Sequence, residues 1–99
     1  MSKTAQQVYD DIIAYIQEQG RPASDWYAGI TSDLDGRVHD EHNVPREDLS
    51  CIKRTCNTTL AARAVENALI KSGCDGGGGG GDSSSIYVYA YLKTAVTNP

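Results

Sequence analysis

Residues 86–92 read Ile-Tyr-Val-Tyr-Ala-Tyr-Leu, and no other stretch constrains the fold as tightly. Aliphatic and tyrosine side chains alternate without a slip. Successive residues of a β-strand point to opposite faces, so Ile86, Val88, Ala90 and Leu92 share one face and Tyr87, Tyr89 and Tyr91 the other. A helix would scatter both sets around its circumference. The chain must therefore build a sheet in which one face is aliphatic and the other is lined by tyrosine. Phenylalanine is absent, so tyrosine carries most of the aromatic burial. The tyrosine face has two readings: packing beneath the N-terminal helix, or a platform on which bases stack.

The remaining segments supply partners for that strand. Over residues 2–20, Val8, Ile12, Tyr15 and Ile16 recur at helical spacing; Ser2 or Thr4 can cap the start and Gly20 can end the helix. Pro22 then disfavours helix at Arg21. Trp26 to Thr31 reads as a strand with Trp26, Ala28 and Ile30 on one face and Tyr27, Gly29 and Thr31 on the other. Ser32-Asp33 looks like the cap of a helix over 34–42, which Asn43-Val44-Pro45 ends. Residues 50–57 form a second strand with Ile52 as its core residue. Asn57, Thr58 or Thr59 caps a helix over 60–72, whose apolar stripe is Leu60, Ala61, Ala64, Val65, Ala68 and Leu69, with Glu66 beside it and Gly73 closing it. Asp75 and six glycines follow. This stretch lacks the Gly-Lys-Ser/Thr ending of a phosphate-binding loop and reads, over 76–85, as a flexible Gly/Ser-rich connector. The expected class is α+β: one domain over 1–99, a small three-stranded antiparallel sheet flanked by helices.

Charge and cysteine content narrow the function. A net charge of −4 opposes broad adhesion to DNA or to an anionic membrane surface, though it leaves room for a local basic patch. No apolar run is long enough to span a bilayer, and the N-terminus has no signal-peptide pattern, so no membrane partner is expected. Cys51, Cys56 and Cys74 are odd in number and lack zinc-ligand spacing. They read as thiols of a reducing cytoplasm.

The candidate chemistry lies where the first strand hands over to the next helix. Tyr27 and Thr31 point to one face with Gly29 between them, which leaves room for a ligand to approach. Arg37, His39 and His42 follow on the helix, and Glu66 sits on the later one. Each has a plain structural reading as well. Tyr27 can be a half-buried strand tyrosine. Arg37 can pair with Asp33, Asp40 or Glu41. The histidines can be idle surface groups or an i, i+3 metal pair. Glu66, near Arg63 and Lys71, can be a solvated helix residue.

Taken together, Tyr27-Ala28-Gly29, Arg37 ten residues after Tyr27, and Glu66 on a helix that follows the next strand resemble the GIY-YIG nuclease family. The resemblance covers roughly Trp26 to Gly73. It implies a three-stranded antiparallel sheet flanked by helices, with two strand tyrosines, a helix arginine and a glutamate that binds one divalent ion. Tyr27, Arg37, His42, Glu66 and Tyr87 would form the catalytic set, with Glu66 holding Mg²⁺ or Mn²⁺. No Gly-Ile-Tyr strand precedes Tyr27; Ile86-Tyr87 stands at the far end instead. A circular permutation would account for this, with the 86–92 strand in the place of the family's first strand and Tyr87 near Tyr27. Ala28 replaces a usual bulky residue, and His42 lies one position beyond the usual histidine, with His39 as its alternative.

The implied activity is cleavage of DNA or RNA phosphodiesters. A Mg²⁺ on one carboxylate and several waters suits that ion, an arginine fork suits a phosphate oxygen, and a phenol or imidazole of lowered pKa could activate water. No small-molecule cofactor is expected. The alternative is a non-catalytic module that holds a protein partner on the tyrosine face or the glycine loop. A Glu66 facing open solvent would end the catalytic reading.

Overall fold

The computed structural model describes residues 4–32, 51–76, 85–94 and 97. The expected helix over 34–42, with Arg37, His39 and His42, lies outside the described residues, as does most of the glycine-rich connector.

Helix α1 spans Ala5–Glu18. Thr4 starts it with a capping box: the Thr4 hydroxyl accepts from the Gln7 backbone N–H at 3.2 Å, and the Gln7 side chain accepts from the Thr4 N–H at 3.0 Å. Val8, Ile12 and Ile16 form its buried line. Gly20, at φ +72°, provides the left-handed residue beyond its end. A 3-10 turn at Ala23–Asp25 leads into strand β1, Trp26–Thr31. Strand β2 is Cys51–Thr55, helix α2 is Thr59–Lys71, and strand β3 is Tyr87–Leu92. Thr58 is the residue that caps α2, accepting from the Ala61 N–H at 3.1 Å, and Gly73 follows at φ +116°.

The sheet order is β1-β3-β2, with both outer strands antiparallel to β3. The fold is α+β, as expected. Its centre is the alternating strand, buried on both sides. Val88 and Ala90 enter one core with Trp26, Ala28, Ile30, Ile52 and the inward faces of both helices; Tyr89 and Tyr91 form a second cluster against Tyr27 and Cys51. The tyrosines therefore do not pack beneath α1, which lies on the aliphatic face. Tyr89 is 1% exposed and Tyr91 0%, so neither offers a platform for stacking bases.

The outer edge of β1 is partly closed by the segment after α2. Asp75 runs parallel to β1, donating its N–H to the Trp26 carbonyl at 2.8 Å and accepting from the Ala28 N–H at 2.9 Å. This pairing blunts an exposed strand edge, and Lys93 Nζ reaches the Asp75 carboxylate at 3.3 Å. On β2, Ile52 joins the core and Arg54 Nε donates to Asp11 Oδ2 of α1 at 3.1 Å.

Helix α2 departs from the expected stripe. Its buried residues are Ala62, Val65, Glu66 and Leu69, while Leu60 is 82% exposed. Ala61, Ala62, Ala64 and Ala68 surround the helix, so apolar spacing alone does not single out one face. Leu60 stands about 140° around the helix from Val65 at 100° per residue, and the face set by Leu69 and Val65 leaves it outside.

Candidate active site

Tyr27 projects from β1 on the face opposite the helices. Its ring lies 5.5 Å from that of Tyr91, which is its direct partner in the register. Tyr91 in turn stacks on Tyr89 at 6.4 Å with 14° between planes. Tyr87 is paired with Thr31 and Thr55, at the other end of the strands. At about 3.3 Å per residue, four positions separate it from the level of Tyr27 by about 13 Å. The antiparallel register thus corrects the expectation that Tyr87 stands near Tyr27; Tyr91 takes that place. The C-terminal strand does pair with β1 in antiparallel register.

Tyr91 is not a candidate base. Burial, reinforced by Tyr89, Tyr27, Asp75 and Cys51, holds its phenol well above the usual tyrosine range. Gly29 also has a different role from the one expected. A Cβ there would stand 2.6 Å from Tyr89 Cζ and 3.1 Å from Cε1. The space above Gly29 is filled by a neighbouring ring and is not open to a ligand.

Glu66 lies in the layer on the other side of β1. Its side chain is 2% exposed, and Arg63, one turn earlier, brings Nη1 to 3.6 Å from Oε1. The Arg63 side chain is itself 32% exposed. Helix geometry locates the pair. Ala64, Val65 and Ala68 face Ala5, Gln6 and Tyr9 of α1 across a shallow groove. Glu66 follows Val65 by about 100° around the helix and so lies on the flank away from α1. Ile70, on that same flank, meets Gly76 beside the Ala28 carbonyl at the outer edge of β1. Because Gly73 contacts Ala23 and the segment that follows runs parallel to β1, α2 runs antiparallel to β1.

The expected set is thus distributed as follows. Tyr27 and Glu66 flank the same strand from opposite sides. Tyr87 stands apart from Tyr27. Arg37 and His42 lie outside the described residues. Two residues that the resemblance did not assign stand beside these: Tyr91, which the register places against Tyr27, and Arg63, the i−3 neighbour of Glu66. Among the described residues no group of three or more His, Cys, Asp or Glu side chains could hold a metal. The donor set is a single carboxylate, which a hard ion would complete with several waters, and Glu66 at 2% exposure leaves those waters little room. Cys51, Cys56 and Cys74 form no disulfide, and burial pushes the Cys56 and Cys74 thiols up. Among the described residues no helix is long and apolar enough to cross a membrane.

Comparison with protein-family models, with curated proteins and with solved structures finds no match to this chain.

Proposed function

We propose that this chain is a divalent-metal-dependent nuclease domain of the cytoplasm, acting on DNA or RNA phosphodiesters, with Glu66 as the ligand of Mg²⁺ or Mn²⁺. One observation carries the reading: a glutamate 2% exposed on α2, the helix that packs on β1. Taking a carboxylate out of water costs several kcal/mol before any pairing, and an apolar side chain of similar size often serves a core better. A buried acid in such a place is a functional candidate for that reason.

When bound, the ion would supply Lewis-acid stabilisation of charge at the phosphate. Glu66 would orient it from a rigid helix. Arg37 would clamp a phosphate oxygen, and His42 or His39 would handle the proton of the attacking water; Tyr27 drops out, because it projects from the face of the sheet opposite the layer that holds Glu66. Tyr87, which shares the face of Tyr27, drops out with it. The alternative, a protein-binding module, has the net charge of −4 in its favour. The burial of Tyr89 and Tyr91 takes away part of the tyrosine face it was expected to use, and the glycine loop, its other expected surface, lies mostly outside the described residues.

The test is cleavage of mixed DNA and RNA substrates with Mg²⁺ or Mn²⁺, comparing wild type with Glu66→Gln, which preserves the shape of the buried side chain. Activity in wild type that is lost in the variant supports the reading. Equal cleavage by both, or none by a folded wild type, refutes it.

A further inference from the structure

Helix α2 carries an exposed leucine and an apolar groove side by side. Leu60 is 82% exposed, and among the described residues it is the one large apolar side chain left open to solvent. One turn further along, Ala64, Val65 and Ala68 form one wall of a shallow groove of about 260 Å³, and Ala5, Gln6 and Tyr9 of α1 form the other. We infer that this face is where two copies of the chain associate. Their α2 helices pair antiparallel about a two-fold axis at Ala64, and each copy seats its Leu60 in the groove of the other.

Knob and groove stand in register for such a pair. Residues four apart make a ridge along a helix, so Leu60, Ala64 and Ala68 lie in one row. A two-fold axis at Ala64 turns that row onto itself and brings Leu60 of one copy to Ala68 of the other. The same patch serves both copies, so the contact closes at two. The sizes agree. A cavity of about 150 Å³ holds a benzene ring, and a groove of about 260 Å³ accepts the four carbons of a leucine side chain. The charges agree as well. No acidic residue stands in the first turn of α2, so the positive end of its dipole meets no carboxylate there. Asp10 stands on the α1 rim of the groove, where it accepts from Gln6 Nε2 at 2.8 Å. It lies toward the end of α2 at which the Tyr9 hydroxyl meets Ser72 Oγ at 2.6 Å. Antiparallel pairing carries the start of the second copy's α2 to that rim.

The experiment measures self-association of the whole chain by sedimentation equilibrium, from micromolar to millimolar concentration, for wild type, Leu60→Ser, Ala64→Arg and Asp10→Lys. Leu60, Ala64 and Asp10 are exposed, so these substitutions leave the packing of the single chain intact. Wild type should show a reversible monomer–dimer equilibrium. Leu60→Ser removes two buried leucines per pair and should weaken it about a hundredfold. Ala64→Arg should abolish it, and Asp10→Lys should weaken it severalfold. A wild type that stays monomeric throughout overturns the proposal. So does a dimer indifferent to Leu60→Ser and Ala64→Arg, whose interface must lie elsewhere, and so does open-ended assembly, since a two-fold contact closes.

A cross-link tests the register. Only a residue close to the two-fold axis meets its own counterpart. Under oxidation Ala64→Cys should therefore join two chains by a disulfide, while Lys71→Cys, about two turns from the axis, should not. Any other pattern overturns the antiparallel pairing at Ala64.

Discussion

Replacing Gly29 by alanine tests the packing of the tyrosine face directly. The new Cβ would stand 2.6 Å from Tyr89 Cζ and 3.1 Å from Cε1. Carbon atoms in good contact are about 3.5–4.0 Å apart, so the overlap approaches 1 Å. The ring has little room to retreat. It is 1% exposed, stacked on Tyr91, and held opposite Gly29 by the β1–β3 register. Overpacking of this kind costs about 1–3 kcal/mol. Alanine recovers part of that by reducing the entropy of the unfolded chain, about 0.4–1 kcal/mol. The net expectation is a loss of about 1–2 kcal/mol, seen in thermal unfolding as a fall in Tm of about 4–16 °C for a domain of this size. The decisive measurement is a double-mutant cycle with Tyr89→Leu. Shortening the ring removes the clash, so Gly29→Ala should cost nearly nothing in the Leu background, a coupling of about 1–2 kcal/mol. If Gly29→Ala costs the same in both backgrounds, the ring does not fill that space and the steric argument is wrong. If it leaves Tm unchanged and affects only ligand binding, the open-pocket reading of Gly29 returns.

Other consequences can be measured on the same protein. Arg63→Met should lower chemical-denaturation stability by at most about 3 kcal/mol, the low end of the range for breaking a buried ion pair because solvent reaches Arg63, while Glu66→Met should be neutral or stabilising; equal losses from both would refute the asymmetry. Tyr91 is held protonated by burial, so the folded chain keeps that proton to higher pH than the unfolded chain does. Its contribution is complete below about pH 10 and is lost as pH rises through the folded value; urea unfolding across alkaline pH should therefore show a steeper decline for wild type than for Tyr91→Phe. Cys56 and Cys74, with thiols pushed up by burial, should react with a disulfide reagent more slowly than Cys51 under native conditions, with the difference abolished in denaturant.

The local elements were largely legible. Trp26 to Thr31 is rich in strand formers and bounded by turn residues, and its strand has those limits. The caps at Thr4 and Thr58 follow from side-chain chemistry that acts within three residues. What could not be read depends on which segments meet. The central place of β3 was hinted at by apolar or aromatic residues on both faces, but strand order is set by long-range pairing. The same register decides that Tyr91 rather than Tyr87 faces Tyr27. At Gly29 the sequence shows a missing side chain and cannot show whose ring occupies the gap. Glu66 was visible beside an apolar stripe; that the stripe turns far enough to bury it depends on where Leu69 and Val65 meet the sheet. Arg37, His39 and His42 carry half of the catalytic expectation and lie outside the described residues.

The order β1-β3-β2 has a consequence for how the chain acquires its shape during synthesis. In the sheet β1 and β2 are not neighbours; each forms its ladder with β3, the strand translated after both, and β1 also takes Asp75 at its outer edge. The β1–β3 ladder joins residues about sixty positions apart, which puts folding in the slow, non-local regime. A nascent chain that has emerged only as far as α2 has both helices and both outer strands but no ladder to hold them. Trp26, Ala28 and Ile30 then lack the strand beside which they are buried, and this is the interval in which apolar surface is open to aggregation or to a chaperone. Emergence of β3 completes two ladders and both faces of the sheet in one event.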